Sequence, residues 1–301
     1  MTAKVLCIGD VMLDVVTKID VMPSQINYGS DTPAKISTHG GGAAGNVASW
    51  LTRTDARATI VGHVGNDAAG SALVSEFDAL GVRHHNLVVD NGHSGVVVVL
   101  VDPTGERTMF PDNGANSGLH IGDLPELDGF NAVYISGYSP LDPLSLSGIK
   151  EMISKIRAAG ITIYFDPASV GGMKEVPIEE VKSWLPLMDV LLLNEEEACY
   201  LSGSTDIENS LDYLLQFCQT VVIKRGSHGA TGKSRGSDSI SVPAIPTTVV
   251  DTTGAGDSFA AGFIAHYATS KNMQHGLESG AAVAAQCVAI VGARPRVGTV
   301  I

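Results

Sequence analysis

Short apolar runs that alternate with helical segments are the feature that most limits how this chain can fold. A first run, Lys4–Ile8, ends at Gly9-Asp10. From residue 58 onward similar runs recur between helical segments, at 58–62, 132–136, 162–165, 190–193 and 221–223. Continuous apolar runs of this length are typical of parallel strands that are buried on both faces. The alternation predicts an α/β fold, a doubly wound and mostly parallel sheet with helices on both faces.

Two stretches without intervening helices interrupt this pattern, at residues 15–39 and 94–110. In the second stretch an apolar run, 95–101, meets an Asp-Pro-Thr-Gly turn and returns through 106–110, which predicts a hairpin. Together the two stretches predict a small β-sheet that projects from the main domain. Such a sheet can close over a ligand as a lid, or pair with its counterpart in a homodimer. We expect residues 1–301 to form one domain that includes this lid.

Composition narrows the class of protein. With 301 residues, 44% of them hydrophobic and 17% charged, the chain has the composition of a soluble enzyme. Its net charge of −13 argues against a nucleic-acid partner. The four cysteines are widely spaced and form no C-x-x-C pair, which predicts buried thiols in a reducing cytosol. No signal peptide is visible, and no apolar run reaches the ~18 residues of a membrane span. We therefore expect a cytoplasmic protein that has no membrane partner.

The segment from Asp251 to Phe259 carries the strongest chemical signal. Gly254, Ala255 and Gly256 precede a small apolar stretch that predicts a buried helix. The first amides of a helix lack intrahelical acceptors and lie at the positive end of the helix dipole, so they form an anion site. Asp257 lies in this first turn, and a carboxylate beside an anion site suits phosphoryl transfer. From this segment alone, an ordinary capped helix is an equal alternative.

A glycine-rich stretch, 40–46, precedes a second predicted helix. Gly40, Gly42 and Gly45 match the G-x-G-x-x-G dinucleotide fingerprint, so an NAD-binding oxidoreductase is one alternative. The preceding strand is polar and no later strand ends in an acidic residue at the expected distance, which argues against it. We favour a site where a small polyol lies against bare backbone and Asn46 supplies amide hydrogen bonds.

Two further motifs follow predicted strands near the carboxyl end of the sheet. Asn194 and Glu197 lie three residues apart at a helix start, a spacing that lets them organise Mg²⁺ and its waters or simply cap the helix. The run from Lys224 to Ser234 approaches a P-loop, but Ser227 stands where that motif requires glycine, and strand-like residues follow it. We reject a P-loop, although a glycine-rich loop after a strand can still bind a nucleotide through its amides.

Together these motifs resemble those of the PfkB/ribokinase family of carbohydrate and nucleoside kinases, over nearly the whole chain. Residues 251–259 are similar to the family's carboxyl-terminal signature, and Gly41-Gly42 through Asn46 to its amino-terminal signature. Asn194-x-x-Glu197 resembles its N-x-x-E motif, and 224–229 its nucleotide loop. The resemblance implies a ribokinase-like fold with a β lid. It also implies transfer of the γ-phosphoryl group of ATP to a primary hydroxyl of a small sugar or, alternatively, a nucleoside.

The resemblance also implies roles for individual residues. Asp257 would be the general base, beside an anion hole formed by Gly254, Ala255 and Gly256. The acceptor's hydroxyls would be held by Asp14, Gly41, Gly42 and Asn46. The nucleotide would be held by Asn194, Lys224, Gly226, Ser227 and Gly229, and Mg²⁺ by Glu197 through water. A monovalent cation such as K⁺ would be held, mostly through backbone carbonyls, by Asp251, Thr253, Cys287, Ile290 and Gly292.

Three departures bear on the cation and the acceptor. Arg296 stands where ribokinases carry a serine ligand of the monovalent cation. Met12 and Gly137 stand where ribokinases carry polar ribose contacts, so the resemblance does not identify the acceptor. A kinase for phosphorylated sugars would need several cations near the lid, for which the sequence offers Lys35, Arg83 and Arg107.

Overall fold

The computed structural model describes residues 2–90 and 92–297. Within these residues the larger sheet has nine strands. In spatial order they are β15 (Ile240–Val242), β14 (Ala230–Ser234), β13 (Thr220–Lys224), β12 (Val190–Asn194), β11 (Thr162–Asp166), β10 (Ala132–Ser136), β1 (Lys4–Ile8), β4 (Arg57–Val61) and β6 (Arg83–His85). The strands from β13 to β6 run parallel, and β14 and β15 extend one edge in antiparallel fashion.

Helices cover both faces of this sheet. The helices on one face are α1 (Ala43–Leu51), α2 (Ala68–Leu80), α9 (Ala255–Ser270) and α10 (Met273–Val288). Those on the other are α4 (Leu146–Ala158), α6 (Ile178–Trp184), α7 (Glu195–Ser202) and α8 (Ile207–Leu214). In β1, Val5 and Cys7 pack into the first core while Leu6 and Ile8 pack into the second. Burial on both faces explains the continuous apolar runs and confirms the doubly wound fold.

The two stretches without intervening helices form a separate four-stranded sheet. Its order is β3 (Ala34–Gly41), β2 (Met12–Ile19), β8 (Gly95–Val101) and β9 (Arg107–Asp112). β8 and β9 form the predicted hairpin, and β2 pairs with β8 in parallel. The small sheet predicted from 15–39 and 94–110 is confirmed, with strands that begin at Met12 and end at Asp112. We call it the lid sheet.

The remaining elements are short. They are α3 (Tyr138–Leu141), α5 (Val170–Met173) and a two-stranded sheet of β5 (Val64–Gly65) and β7 (Val88–Val89). The sequence from Asn86 to Val89 also predicts a strand, but only β7 forms, because Asn86 has a φ of 49°, outside the range of a strand. Gly232, Lys233 and Ser234 of the P-loop-like run lie within β14, which confirms that this run is not a P-loop.

Within the described ranges, no helix has the length and apolar character that a bilayer crossing requires. All four cysteines are free thiols, as predicted, and Cys7, Cys218 and Cys287 are buried, but Cys199 is only half-buried. Burial raises the pKa of the Cys218 and Cys287 thiols to about 12. These two buried thiols are therefore protonated at neutral pH and act as small apolar side chains with a weak donor.

Candidate active site

Polar side chains end three neighbouring strands at one edge of the larger sheet. Asp166 ends β11, Asn194 ends β12 and Lys224 ends β13, and Asn194 lies directly opposite Lys224 in the strand register. The strands are parallel, so their carboxyl ends meet at the same edge, where α/β sheets bind ligands. Asp166 was not among the predicted site residues. Asp166 directly follows a buried apolar run, as Asn194 and Lys224 do, and that position could have identified it from the sequence.

Helix α9 begins beside this edge. Gly254 caps it with a φ of 74°, and a Cβ at this position would lie 2.6 Å from the carbonyl oxygen of Ala293, so glycine is required. The N–H of Ala255 donates to the carbonyl of Thr252 over 3.2 Å. The next amides, of Gly256 and Asp257, have no acceptor within the helix. These two amides are therefore available to an anion, whereas the Ala255 amide of the predicted anion hole is engaged.

Asp257 connects this helix start with the glycine-rich stretch. Its Oδ2 accepts a hydrogen bond from Nδ2 of Asn46 in α1 over 2.8 Å. Burial raises the pKa of Asp257 to about 7, the bond from Asn46 opposes that rise, and repulsion from Asp166 adds to it. A carboxylate with a pKa near neutrality is well matched to accept a proton at physiological pH.

Lys224 supplies the positive charge next to the helix start. Its ammonium pairs with the carboxylate of Asp166, and a Cβ built on Gly256 would lie 3.2 Å from its Nζ. Burial lowers the pKa of Lys224, but Asp166 and Glu197 outweigh that effect and the pKa is raised. The sequence assigned Lys224 to the nucleotide loop. Its ammonium in fact lies beside the α9 amides.

Asn194 and Glu197 hold each other. Asn194 donates to Glu197 from its backbone N–H over 2.8 Å and from Nδ2 over 2.6 Å, and Glu197 N–H donates to Asn194 Oδ1 over 2.8 Å. Asn194 and Glu197 therefore form a capping box at the start of α7, as the helix-capping interpretation predicts. Burial raises the pKa of Glu197 to about 8, with repulsion from Asp166 adding to it. Across residues 2–90 and 92–297, no group of three His, Cys, Asp or Glu side chains forms a ready metal site.

The predicted nucleotide loop follows Lys224 along the chain. Gly226 and Ser227 lie in a single 3₁₀ turn, tied down by an ion pair of 3.0 Å between Arg225 and Glu195. Gly229 has a φ of 89°, and a Cβ there would lie 1.9 Å from the carbonyl oxygen of Val242. Gly229 is thus required for packing against β15, while Gly226 faces open space.

The glycines of 40–46 make room for neighbouring side chains. A Cβ on Gly41 would lie 2.3 Å from Oδ1 of Asp14, and one on Gly45 would lie 2.4 Å from Arg294. Gly42 has a φ of 84° and caps α1. Burial raises the pKa of Asp14 to about 6, although Arg294 opposes this. These contacts within the protein explain why glycine is needed at these positions, so no bound dinucleotide is required to explain them.

Arg294 is the main site residue that the sequence did not reveal. It is buried, donates to Oδ1 of Asn46 over 3.3 Å and to Oε2 of Glu76 over 2.6 Å, and also donates to the carbonyl of Gly41. Its guanidinium lies 4.6 Å from the centre of the Phe77 ring. Arg294 therefore fixes Asn46 from the side opposite Asp257. No local pattern signals a contact between residues 248 positions apart.

The residues predicted to hold a monovalent cation contact one another in pairs. Gly292 N–H donates to Oδ2 of Asp251 over 3.0 Å, and the Cys287 thiol donates to the carbonyl of Thr253 over 3.3 Å. Ile290 contacts Cys287 through its backbone N–H. Burial raises the pKa of Asp251, but hydrogen bonds from Thr253 and Gly292 and the charge of Arg107 outweigh it, which lowers the pKa to about 2. Asp251 is therefore ionised.

A cavity of about 220 Å³ separates the lid sheet from the segment that leads into α9. Its lid side carries Asp14, Lys18, His39 and Arg107, and its other side carries residues 249–253 together with Gly292 and Ala293. Of the three cations expected for a phosphorylated acceptor, Arg107 lines this cavity. Lys35 and Arg83 are exposed and do not line it.

The chain is similar to known proteins over nearly its whole length. The sequence pattern of the pfkB family carbohydrate kinases matches residues 2–297. The ATP-dependent ribose-1-phosphate kinase of Halopiger xanaduensis is 30% identical over 97% of this chain and 94% of its own. The adenosine kinase of Sinorhizobium meliloti superposes with a TM-score of 0.86 at 24% identity, covering 98% of this chain and 96% of that one.

A candidate ribokinase II of E. coli, in complex with ATP and Mg²⁺, superposes with a TM-score of 0.84 at 25% identity. The superposition covers 97% of this chain and 94% of that one. The chain belongs to the pfkB family of carbohydrate kinases, phosphotransferases that act on a hydroxyl group.

Proposed function

We propose that this kinase transfers the γ-phosphoryl group of ATP to a primary hydroxyl of a small sugar. Asp257 acts as the general base, and the amides of Gly256 and Asp257 form the anion hole. The observation that carries this proposal is the hydrogen bond between Asp257 and Asn46. It joins the start of α9, which suits the transferring phosphoryl group, to α1, whose glycine-rich start suits a polyol. The Asp257 carboxylate thus lies next to both the phosphoryl site and the acceptor site.

The chemical step follows from these positions. Asp257 accepts the proton of the attacking hydroxyl as that oxygen approaches the γ-phosphorus in line with the leaving group. The Gly256 and Asp257 amides and the Lys224 ammonium hold the negative charge of the transferring oxygens. Asn46 keeps the Asp257 carboxylate pointed toward the acceptor, and Arg294 keeps Asn46 in place. Asp14 accepts hydrogen bonds from the acceptor's other hydroxyls.

The polar edge of the sheet fits ATP with Mg²⁺. The carboxylates of Asp166 and Glu197 and the amide of Asn194 are the hard oxygen donors that Mg²⁺ prefers. Their oxygens already accept hydrogen bonds within the protein, so we expect these residues to hold the ion through its waters. When bound, Mg²⁺ supplies charge neutralisation on the phosphates. In the turn at 226–229 the amides of His228 and Gly229 already donate to Arg225 and Gly226, which leaves the amides of Gly226 and Ser227 for the nucleotide.

An acceptor that already carries an anionic group is a second candidate. Lys18 and His39 line the lid cavity next to Asp14, and they are additional to Arg107, whose charge is paired with Asp251. The Halopiger xanaduensis relative is a ribose-1-phosphate kinase. Such an acceptor keeps a free primary hydroxyl while its phosphate lies near Lys18. A nucleoside acceptor remains the alternative within the family, and an NAD oxidoreductase is no longer supported.

We also propose a homodimer formed through the lid sheet. Ile36, Val98 and Phe110 are exposed and lie on the outer face of the sheet, opposite the cavity. Exposed apolar side chains that share one face are typical of an interface. A cytoplasmic location remains a prediction from the sequence.

An ADP-release screen tests the proposed function. The purified enzyme is assayed with ATP and Mg²⁺ against ribose, ribose 1-phosphate, fructose, keto-sugar acids and nucleosides. We expect acceptor-dependent ADP release with a sugar or a phosphorylated sugar. Preference for ribose 1-phosphate over ribose, lost in Lys18→Met, would select the anionic acceptor. Folded protein that releases no ADP across the panel would contradict the proposal.

A further inference from the structure

The segment that leads into the anion hole receives a positive charge from the protein itself. Arg107, on lid strand β9, donates from its guanidinium to Oδ1 of Asp251 and to Oγ1 of Thr253. The two acceptors belong to the set that the family resemblance assigns to a monovalent cation. Arg107 is 26% exposed and Asp251 is 15% exposed, so the pair is largely shielded from solvent. A fixed cation therefore already lies against these oxygens.

The Asp251 carboxylate and the Thr253 carbonyl accept further hydrogen bonds from the protein. Oδ1 of Asp251 also accepts from the Thr253 N–H over 2.9 Å and from its hydroxyl over 2.7 Å. Oδ2 accepts from the N–H of Gly292 over 3.0 Å. The carbonyl of Thr253 accepts from the thiol of Cys287. A guanidinium against Asp251 and Thr253 repels a second cation, and the thiol of Cys287 already occupies the Thr253 carbonyl, so the residues present do not fit a monovalent cation.

We infer that Arg107 is a positioning residue that takes the place of the monovalent cation and ties the lid sheet to the anion hole. Thr253 directly precedes Gly254, so an anchor on Asp251 and Thr253 sets where the α9 amides point. The anchor comes from β9, so the same contact holds the lid in a defined position over the cavity. The enzyme should then be indifferent to K⁺. This inference rests on the proposed kinase function only for its activity readout.

Thermal melting without nucleotide or acceptor tests the inference independently of catalysis. Tm is measured in KCl, NaCl and tetramethylammonium chloride at equal ionic strength. We expect the wild type to melt at the same temperature in all three salts. In Arg107→Ala the vacated space beside Asp251 admits a small cation, so KCl should raise Tm relative to tetramethylammonium. A K⁺-specific rise in the wild type, or none in Arg107→Ala, would overturn the inference.

Turnover measurements in the same salts give the second readout. Loss of the anchor in Arg107→Ala should lower kcat about tenfold in tetramethylammonium while the KM for ATP changes little, and K⁺ should restore part of kcat. Arg107→Lys keeps the charge and should remain indifferent to K⁺. Arg83→Ala, which removes an exposed arginine from β6, is the matched control and should behave as wild type. Stimulation of the wild type by K⁺, or an Arg107→Ala defect that K⁺ leaves unchanged, would count against the positioning role.

Discussion

Asp257 lies where burial and neighbouring carboxylates oppose its ionisation. Its pKa is raised to about 7, and that of Asp14 to about 6, mainly by burial. A general base works only when it is deprotonated, and Asp14 accepts hydroxyl hydrogen bonds best as a carboxylate. Both effects have the same sign: activity is lost as pH falls.

We therefore predict that kcat/KM for the acceptor is level above about pH 8, half-maximal near pH 7, and falls more steeply below pH 6. Initial rates between pH 5.5 and 9, with ATP and Mg²⁺ saturating at every pH, measure this profile. Unchanged kcat/KM from pH 8 down to pH 5.5 would show that no group with the raised pKa of Asp257 takes part in the reaction.

Single residues could be predicted where the chemistry lies in one contiguous motif. Asp257 and Asn46 each follow glycines at a helix start, so the residues next to them in the chain are enough to identify them. Arg294 contacts Asn46 and Asp166 pairs with Lys224, and each of these partners is far away in the chain. The sequence does not show that either pair is close in space. Arg107 was visible only as a cation of the lid hairpin, because its pairing with Asp251 depends on how the lid sheet is placed.

At the scale of elements, α9 and α10 pack closely because glycines line their contact. A Cβ on Gly262 of α9 would lie 2.5 Å from the carbonyl oxygen of Ser279 in α10. Gly262→Ala should therefore force the helices apart and lower the free energy of unfolding by about 1–3 kcal/mol, the usual cost of overpacking. Urea denaturation measures the change.

Gly171→Ala is the matched control for this prediction. Gly171 lies in the short helix α5, is exposed, and a Cβ there would meet only the Ser169 hydroxyl at 3.9 Å. Alanine favours a helix by up to about 1 kcal/mol over glycine, so this variant should be as stable as the wild type or slightly more so. Equal stabilities of the two variants would refute close packing as the reason for Gly262.

The sequence predicted the central strands well, because burial on both faces leaves continuous apolar runs. It also predicted the lid hairpin, since its turn residues are local. An Ala-rich run predicts helix α10 from Leu277, but the helix begins at Met273, where the Asn272 side chain accepts from the N–H of His275. A capping residue within a polar stretch gives no apolar signal, and that is why the first turn was missed.

At the scale of the whole molecule, the outer face of the lid sheet is an apolar face that the single chain leaves exposed. We predict that the wild type elutes as a dimer in size-exclusion chromatography and that Phe110→Lys, on that face, elutes as a monomer. Leu144→Lys changes a residue that is 74% exposed and lies outside the lid, and it should leave the dimer intact. Elution of the wild type as a monomer at micromolar concentration would contradict the proposed interface.

Turnover of Asp257→Asn tests the central claim most directly. The amide keeps an acceptor for Asn46 and removes a carboxylate whose ionisation is opposed by burial, so above pH 7 the variant should fold with a Tm at least equal to the wild type. With the acceptor identified by the ADP-release screen, we predict that ATP still binds and that kcat falls by roughly 10²–10⁴, the range for loss of a general base. A folded variant with near wild-type kcat would show that Asp257 is not the base.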